Sequence, residues 1–258
     1  LKAVISFAYF QYIEAAEYIQ CTENTLVQFT KDYPDLKSQS RHQALIQLGL
    51  NSEEDLSSIM SGLKLLQVQI ARFNGNQALA QTLEKDLKQV YDADNPLNCW
   101  LHYGAAADSF MNDKIIDCIR HSRISLSLAK ESEDGMCVIT TLCWLIHALN
   151  FNGKPTEAIK IADESLLWLK QNGLLNVSGM SALYIAIITV QIELNQLDNA
   201  WGAYHLLLKN IQLNTDSREI SFSQKYTYVQ LLSASGLILE ARTALDKLDE
   251  FEQNNFPT

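Results

Sequence analysis

The stretch "LNQLDNAWGAYHLLLKN", Leu194 to Asn210, carries the feature that decides the fold of this chain. Asn195 is a residue type favoured in tight turns, and Ala200 follows it five positions later. The residues after Ala200 are rich in apolar and aromatic types and include no proline, as expected of a helix. This order predicts two helices that pack closely just after a turn, because a larger side chain at the alanine would force their axes apart.

The same arrangement recurs along the chain at intervals of about forty residues. The small residues that align are spaced by 40, 40, 42 and 41 residues, at Ala78, Cys118, Ala158, Ala200 and Ala241. In the last three repeats, a glycine or asparagine stands five residues before the alanine, at Gly153, Asn195 and Gly236. Self-similarity at such a period is typical of proteins built from repeated helix pairs.

We therefore predict an all-α fold, an α-solenoid of antiparallel helix pairs. Residues 60–251 are predicted to form about five repeats, with units near 60–98, 99–135, 136–176, 177–219 and 220–251. Residues 1–59 are predicted to form an N-terminal helical capping region, because the end units of such folds are commonly atypical. Residues 252–258 are predicted to be a polar tail, and the whole is expected to be one continuous domain of a longer protein.

A glycine or asparagine five residues before an alanine, followed by an amphipathic helix, resembles the tetratricopeptide repeat over roughly residues 60–251. This resemblance implies a right-handed superhelix whose first helices line a concave, partner-binding face. The chain departs from that family in its period, near 40 rather than 34 residues, and in keeping the aromatic residue of the first helix only as Tyr184. The longer period is similar to the repeat region of maltose-activator-type (MalT-like) bacterial transcriptional regulators. That similarity implies a role in transcription regulation.

The tetratricopeptide pattern also implies which first-helix positions face a partner. Transferred through the aligned small residues, these positions are Trp100, Tyr103, Cys143, His147, Asn150, Ile185, Thr189, Tyr226 and Gln230. Aromatic rings supply contact area and amides can bond to a peptide backbone, so such side chains suit a peptide or protein ligand. The alternative for each aromatic residue is a place in the core between repeats, where buried rings contribute strongly to stability.

No sequence pattern indicates catalysis. The chain contains no phosphate-binding loop, no dinucleotide-binding glycine pattern, no HExxH and no GxSxG. Cys143 and His147 are four residues apart on one predicted helix, but a metal site needs three or four ligands, so packing positions are favoured. We therefore expect no enzyme activity, no cofactor and no metal in this segment.

Charge and composition restrict the partners. The chain has 30 acidic and 20 basic residues, for a net charge of −10, which would repel a nucleic-acid backbone. Its longest apolar run, Ala182 to Val190, is too short to cross a bilayer as a helix. The five cysteines form no CxxC pair, which favours free thiols in a reducing compartment and hence a cytoplasmic location.

Three functions stay open on the sequence alone. The leading hypothesis is a protein-interaction and regulatory module that binds a peptide or protein. The second is an output or sensor repeat domain of a signal-transduction protein, fused to a receiver or a cyclic-dinucleotide enzyme. The third is a domain that binds a small effector in a pocket of the superhelix. The exposed ends of a solenoid would also allow homodimers to form end to end.

Overall fold

The computed structural model of the chain describes residues 12–34, 38–73, 76–88, 98–177, 179–213 and 218–255. Within these ranges every regular element is an α-helix, and no strand occurs. The helices are α1 (Tyr12–Asp32), α2 (Gln39–Gln47), α3 (Glu53–Phe73), α4 (Gln77–Lys88), α5 (Asn98–Met111), α6 (Ile115–Glu131), α7 (Gly135–Phe151), α8 (Pro155–Gln171), α9 (Met180–Glu193), α10 (Leu197–Leu213), α11 (Arg218–Ala234) and α12 (Ile238–Asn255). The predicted all-α architecture is therefore confirmed. Because α12 continues to Asn255, the predicted tail from residue 252 begins as helix.

The chain divides into two units, Leu1–Leu101 and His102–Thr258. In the first unit, α3 packs against α1 and α4. A core cluster between α1, α2 and α3 is made of Leu26, Phe29, Ala44, Leu45, Leu50 and Leu56. Beside this cluster, the buried guanidinium of Arg41 pairs with the Glu53 carboxylate at 2.5 and 2.8 Å and lies 5.1 Å from the Phe29 ring centroid. One arginine thereby joins three helices.

In the second unit the helices pack in adjacent pairs. Helix α7 contacts α6 and α8, α9 contacts α8 and α10, and α11 contacts α10 and α12. Helix α9 also packs directly against both α7 and α11. The first helices of the last three pairs therefore lie side by side, which is the arrangement that positions the candidate site.

The turns inside the pairs are closed by residues in the left-handed backbone region. Gly153, Asn195 and Gly236 have φ values of 71°, 54° and 77°, which confirms their predicted turn role. Asp113, with φ 58°, takes the same place between α5 and α6, since aspartate tolerates this region better than most residues. After each of these residues the next backbone N–H donates to the carbonyl five residues earlier, as from Lys154 to Leu149 at 2.9 Å.

In the second helix of each of the five predicted repeats, the fourth residue is small and buried. These residues are Ala80, Cys118, Ala158, Ala200 and Ala241. The predicted alignment was wrong in the first of these helices, because it placed Ala78 at this position. Helix α4 begins at Gln77, so Ala78 is its second residue and is exposed, whereas Ala80 has no exposed surface. Gly75, five residues before Ala80, is outside the described residues.

Glycines occupy two positions where first helices begin, one for space and the other for its backbone conformation. A Cβ on Gly135, the first residue of α7, would lie 2.2 Å from Cδ1 of Leu174 in the link after α8. Gly179 precedes α9 with φ +90°, a conformation that other residues rarely adopt. A Cβ there would be 3.6 Å from Ile139 of α7. The start of α7 thus packs against Leu174, and the residue before α9 lies close to Ile139 of α7.

Candidate partner-binding surface

The exposed side of α7, α9 and α11 contains most of the residues predicted to face a partner. We define the first-helix surface as its partly or fully exposed residues Cys143, His147, Asn150, Phe151, Ile185, Thr189, Tyr226 and Gln230. Each of these residues lies three or four positions from another member of the set on the same helix, so the set on each helix occupies one side of it. Since α9 packs against both α7 and α11, the three faces are neighbours.

The opposite side of α7 packs against its neighbouring helices, which leaves the first-helix surface accessible. Leu142, Leu145 and Leu149 have no exposed surface, because this side of α7 packs against its neighbouring helices. His147 and Asn150 lie on a different side of α7 from these leucines and are partly exposed. Helix α7 is apolar over most of its sequence, but its burial shows a core side and an accessible side.

Two predicted partner residues lie in the interior. Trp100 and Tyr103 of α5 are only 9% and 5% exposed, so their side chains offer little surface to a partner. The alternative of a core position is what the structure shows for both rings, whose large apolar area favours burial. The first-helix surface therefore leaves them out.

The polar groups of the surface are neutral and partly satisfied within their own helices. Thr189 Oγ1 donates to the Ile185 carbonyl at 3.0 Å, and Cys143 Sγ donates to the Ile139 carbonyl at 3.4 Å. Desolvation raises the pKa of the Cys143 thiol to about 12, so it is not a reactive thiolate. Desolvation also lowers the pKa of His147, which favours its neutral form.

Charged residues are sparse on the first helices α7 and α9, whereas α11 has three of them and the second helix α10 has two. Helix α7 contains no Asp, Glu, Lys or Arg, and α9 contains only Glu193. The second helices α6 and α8 each contain five such residues, and an Arg123–Glu157 ion pair joins them. Formal charges of both signs are thus frequent on α6 and α8 and nearly absent from α7 and α9.

An aromatic cluster at the ends of α5 and α7 extends this uncharged region. The Phe110 ring lies 5.1 Å from the Trp144 ring and 5.6 Å from the Phe151 ring, between centroids. Phe151 and Met111 are both 72% exposed. The sequence prediction did not include these residues, although the position of Phe151, four residues after His147, places it on the same face of α7.

The structure also brings together two histidines that belong to no sequence motif. The Nδ1 atoms of His102 and His121 are 3.0 Å apart, with the two rings stacked. Among the described residues, no group of three or more His, Cys, Asp or Glu side chains is arranged to hold a metal ion. The described helices also include none that is both long and apolar enough to cross a membrane.

Comparison with known proteins finds a likeness of fold. No family model and no curated protein matches the chain. Among solved structures, the crystal structure of BtubC (BKLC) from P. vanneervenii matches with a TM-score of 0.60 at 13% sequence identity. The match covers 93% of this chain and 92% of that one. At this level of identity, the likeness shows that the two chains share an all-helical fold.

Proposed function

We propose that the chain is a non-catalytic protein-interaction and regulatory module that binds a peptide or protein on its first-helix surface. The observation that carries this proposal is that α7 and α9 together contain one charged residue, Glu193, in a chain of net charge −10. Charged side chains are normally favoured on free surfaces, whereas the centre of a protein interface is depleted in them. A partly exposed face that combines Ile185, Tyr226 and Phe151 with amide groups has the composition of an interface.

The chemistry of this surface indicates the kind of partner. Its rings and aliphatic side chains provide apolar contact area, and Gln230 provides an amide group, whereas the side-chain oxygen of Asn150 is buried. A helix or extended segment with apolar side chains and accessible backbone amides would complement it. Because neither side would contribute formal charge, the affinity should depend only weakly on salt concentration.

The assignment to a repeat family and to a type of regulator is also a proposal. The turn residue five positions before a small buried residue supports a tetratricopeptide-like right-handed superhelix, and the long period supports a MalT-like bacterial regulator in the cytoplasm. The competing function is an output or sensor domain in signal transduction. Neighbouring domains distinguish the two: a helix-turn-helix domain beyond Thr258 favours transcription control, and a receiver domain before Leu1 favours phosphorelay output.

The proposed site can be tested without a known partner. Peptides selected from a random display library against the purified chain would be synthesised, and their Kd would be measured by fluorescence anisotropy. Tyr226→Ala and His147→Ala should each weaken binding by about fivefold to thirtyfold, as expected for central interface residues. Leu206→Ala is the matched control, because Leu206 is 50% exposed on the second helix α10.

Far-ultraviolet circular dichroism would check that each variant keeps the helicity of the unmodified chain. A selected peptide that binds both surface variants as tightly as the unmodified chain would place the binding site elsewhere. A loss of affinity in Leu206→Ala equal to that in Tyr226→Ala would also contradict the proposal.

A further inference from the structure

A second candidate site, which is concave, lies near the end of the chain, and we name it the C-terminal cleft. It has a volume of about 570 Å³ and is bounded by α10, α11 and α12. This volume is within the range of small-molecule binding pockets. Helix α11 lines the cleft with Gln224, Lys225 and Tyr228, whereas Tyr226 and Gln230 belong to the first-helix surface. The two sites therefore use different residues of one helix.

The cleft contains a fixed aromatic wall. The rings of Tyr204 and Tyr228 are stacked, with centroids 5.4 Å apart and an interplanar angle of 19°. Trp201 packs edge-on against both of them, at 5.9 and 6.1 Å. The Gln224 side-chain amide also donates to the Tyr204 hydroxyl oxygen. Tyr204 is only 5% exposed, so Tyr228, which is partly exposed and held by its neighbours, offers the apolar ring surface on which another ring can stack.

Positive charge lies next to the aromatic wall. Lys225 and Lys247 both line the cleft, with Glu240 as the one carboxylate among its lining residues. The Lys225 ammonium lies 5.2 Å from the centroid of the Phe251 ring on α12, a cation–π contact that holds it beside the cleft. The lining is thus formally cationic in an acidic chain, which favours an anion at this position over the surrounding surface.

Two further features suit a small ligand with an apolar body. Leu248 is buried at the base of the cleft, and Leu239, at its edge, is 80% exposed. Burial raises the pKa of Tyr204 to about 12, so its phenol stays neutral. Because this phenol accepts a hydrogen bond from Gln224, it keeps its own proton to donate.

We propose that the C-terminal cleft binds a small planar aromatic anion, either a carboxylate or a phosphate ester. Its ring stacks on the partly exposed Tyr228 ring, which the buried Tyr204 ring holds in place, and its anionic group pairs with Lys225 and Lys247. This site goes beyond the proposed protein-interaction function, because a small ligand here leaves the first-helix surface uncovered.

Isothermal titration calorimetry on the whole chain tests the proposal with three probes. These are 2-naphthoate, 2-naphthyl phosphate and the neutral 2-naphthalenemethanol. At least one anion should bind saturably and more tightly than the alcohol, and the tighter anion identifies the preferred acidic group. Lys247→Gln should weaken anion binding by about 1.5-fold to fivefold and leave the alcohol unaffected, as expected for an ion pair at an exposed position.

Lys160→Gln on α8 is the matched control, because it removes the same charge from an exposed position outside the cleft. The absence of saturable binding by both anions would overturn the proposal. Equal affinity for the alcohol and the anions, or equal losses in Lys160→Gln and Lys247→Gln, would overturn it as well. Loss of peptide binding in Tyr226→Ala with unchanged anion affinity would show that the two sites are independent.

Discussion

Replacing Ala80 with leucine, beside the matched replacement Ala78→Leu, tests how the repeat is built. The two alanines are two residues apart near the start of α4. Ala80 has no exposed surface, whereas Ala78 is exposed. The same added side chain therefore enters the packed side of α4 at one position and solvent at the other.

The expected magnitudes follow from this difference in burial. Extra methylene groups in a well-packed site cost about 1–3 kcal/mol, because neighbouring side chains and backbone must shift. Leucine and alanine differ little in helix propensity, and exposed substitutions usually change stability by less than about 0.5 kcal/mol. At a urea m value of about 2 kcal/mol/M, Ala80→Leu should lower the unfolding midpoint by about 0.5–1.5 M, and Ala78→Leu by less than about 0.3 M.

Urea unfolding followed by circular dichroism measures these midpoints. Amide hydrogen exchange of α3 and α4 should accompany it, because helical repeats can open unit by unit. Faster exchange in α4 of the Ala80→Leu variant would locate the damage at the predicted contact. Equal midpoints for the two variants, or a lower midpoint for Ala78→Leu, would refute the reasoning and restore Ala78 as the packed residue.

Three further predictions concern polar side chains that are partly or fully buried. The hydrogen bond and charge of Arg41 hold the pKa of Glu53 below 4.5, so their pairing stabilises the fold above about pH 4.5 and is lost in acid. Glu53→Gln should therefore reduce the fall in urea midpoint between about pH 5 and 3; an unchanged fall would contradict this. Desolvation lowers the pKa of His147 below 6.5, so the unfolded chain binds the proton more readily and stability falls below about pH 6.5. His147→Gln should flatten thermal stability between about pH 7 and 5, and a profile as steep as before would exclude His147 as the cause. Asn210 accepts a hydrogen bond from the buried Ser181 hydroxyl at 2.8 Å, so Asn210→Leu should cost about 1–3 kcal/mol in calorimetric unfolding, and a neutral result would argue against this bond.

The sequence by itself determined the helix pairs. A left-handed turn conformation restricts the residue type at Gly153 and Asn195, and a tight helix crossing restricts the size of Ala158 and Ala200. Both constraints act within a few residues of chain, so they leave a readable pattern. Most of the first-helix surface was also predictable. Once the bounds and the core side of a helix are known, the helical period distinguishes its exposed positions from its buried ones.

Only the tertiary structure decided which side chains meet. It placed Ala80 rather than Ala78 in the packed position of α4, and it buried Trp100, which the repeat pattern had placed on the accessible face. It also stacked Tyr204 on Tyr228, on different helices and in no recognisable spacing. Such contacts depend on where each helix begins and how neighbouring helices cross. These quantities are set by side-chain packing over the whole unit, and a local sequence pattern does not contain them.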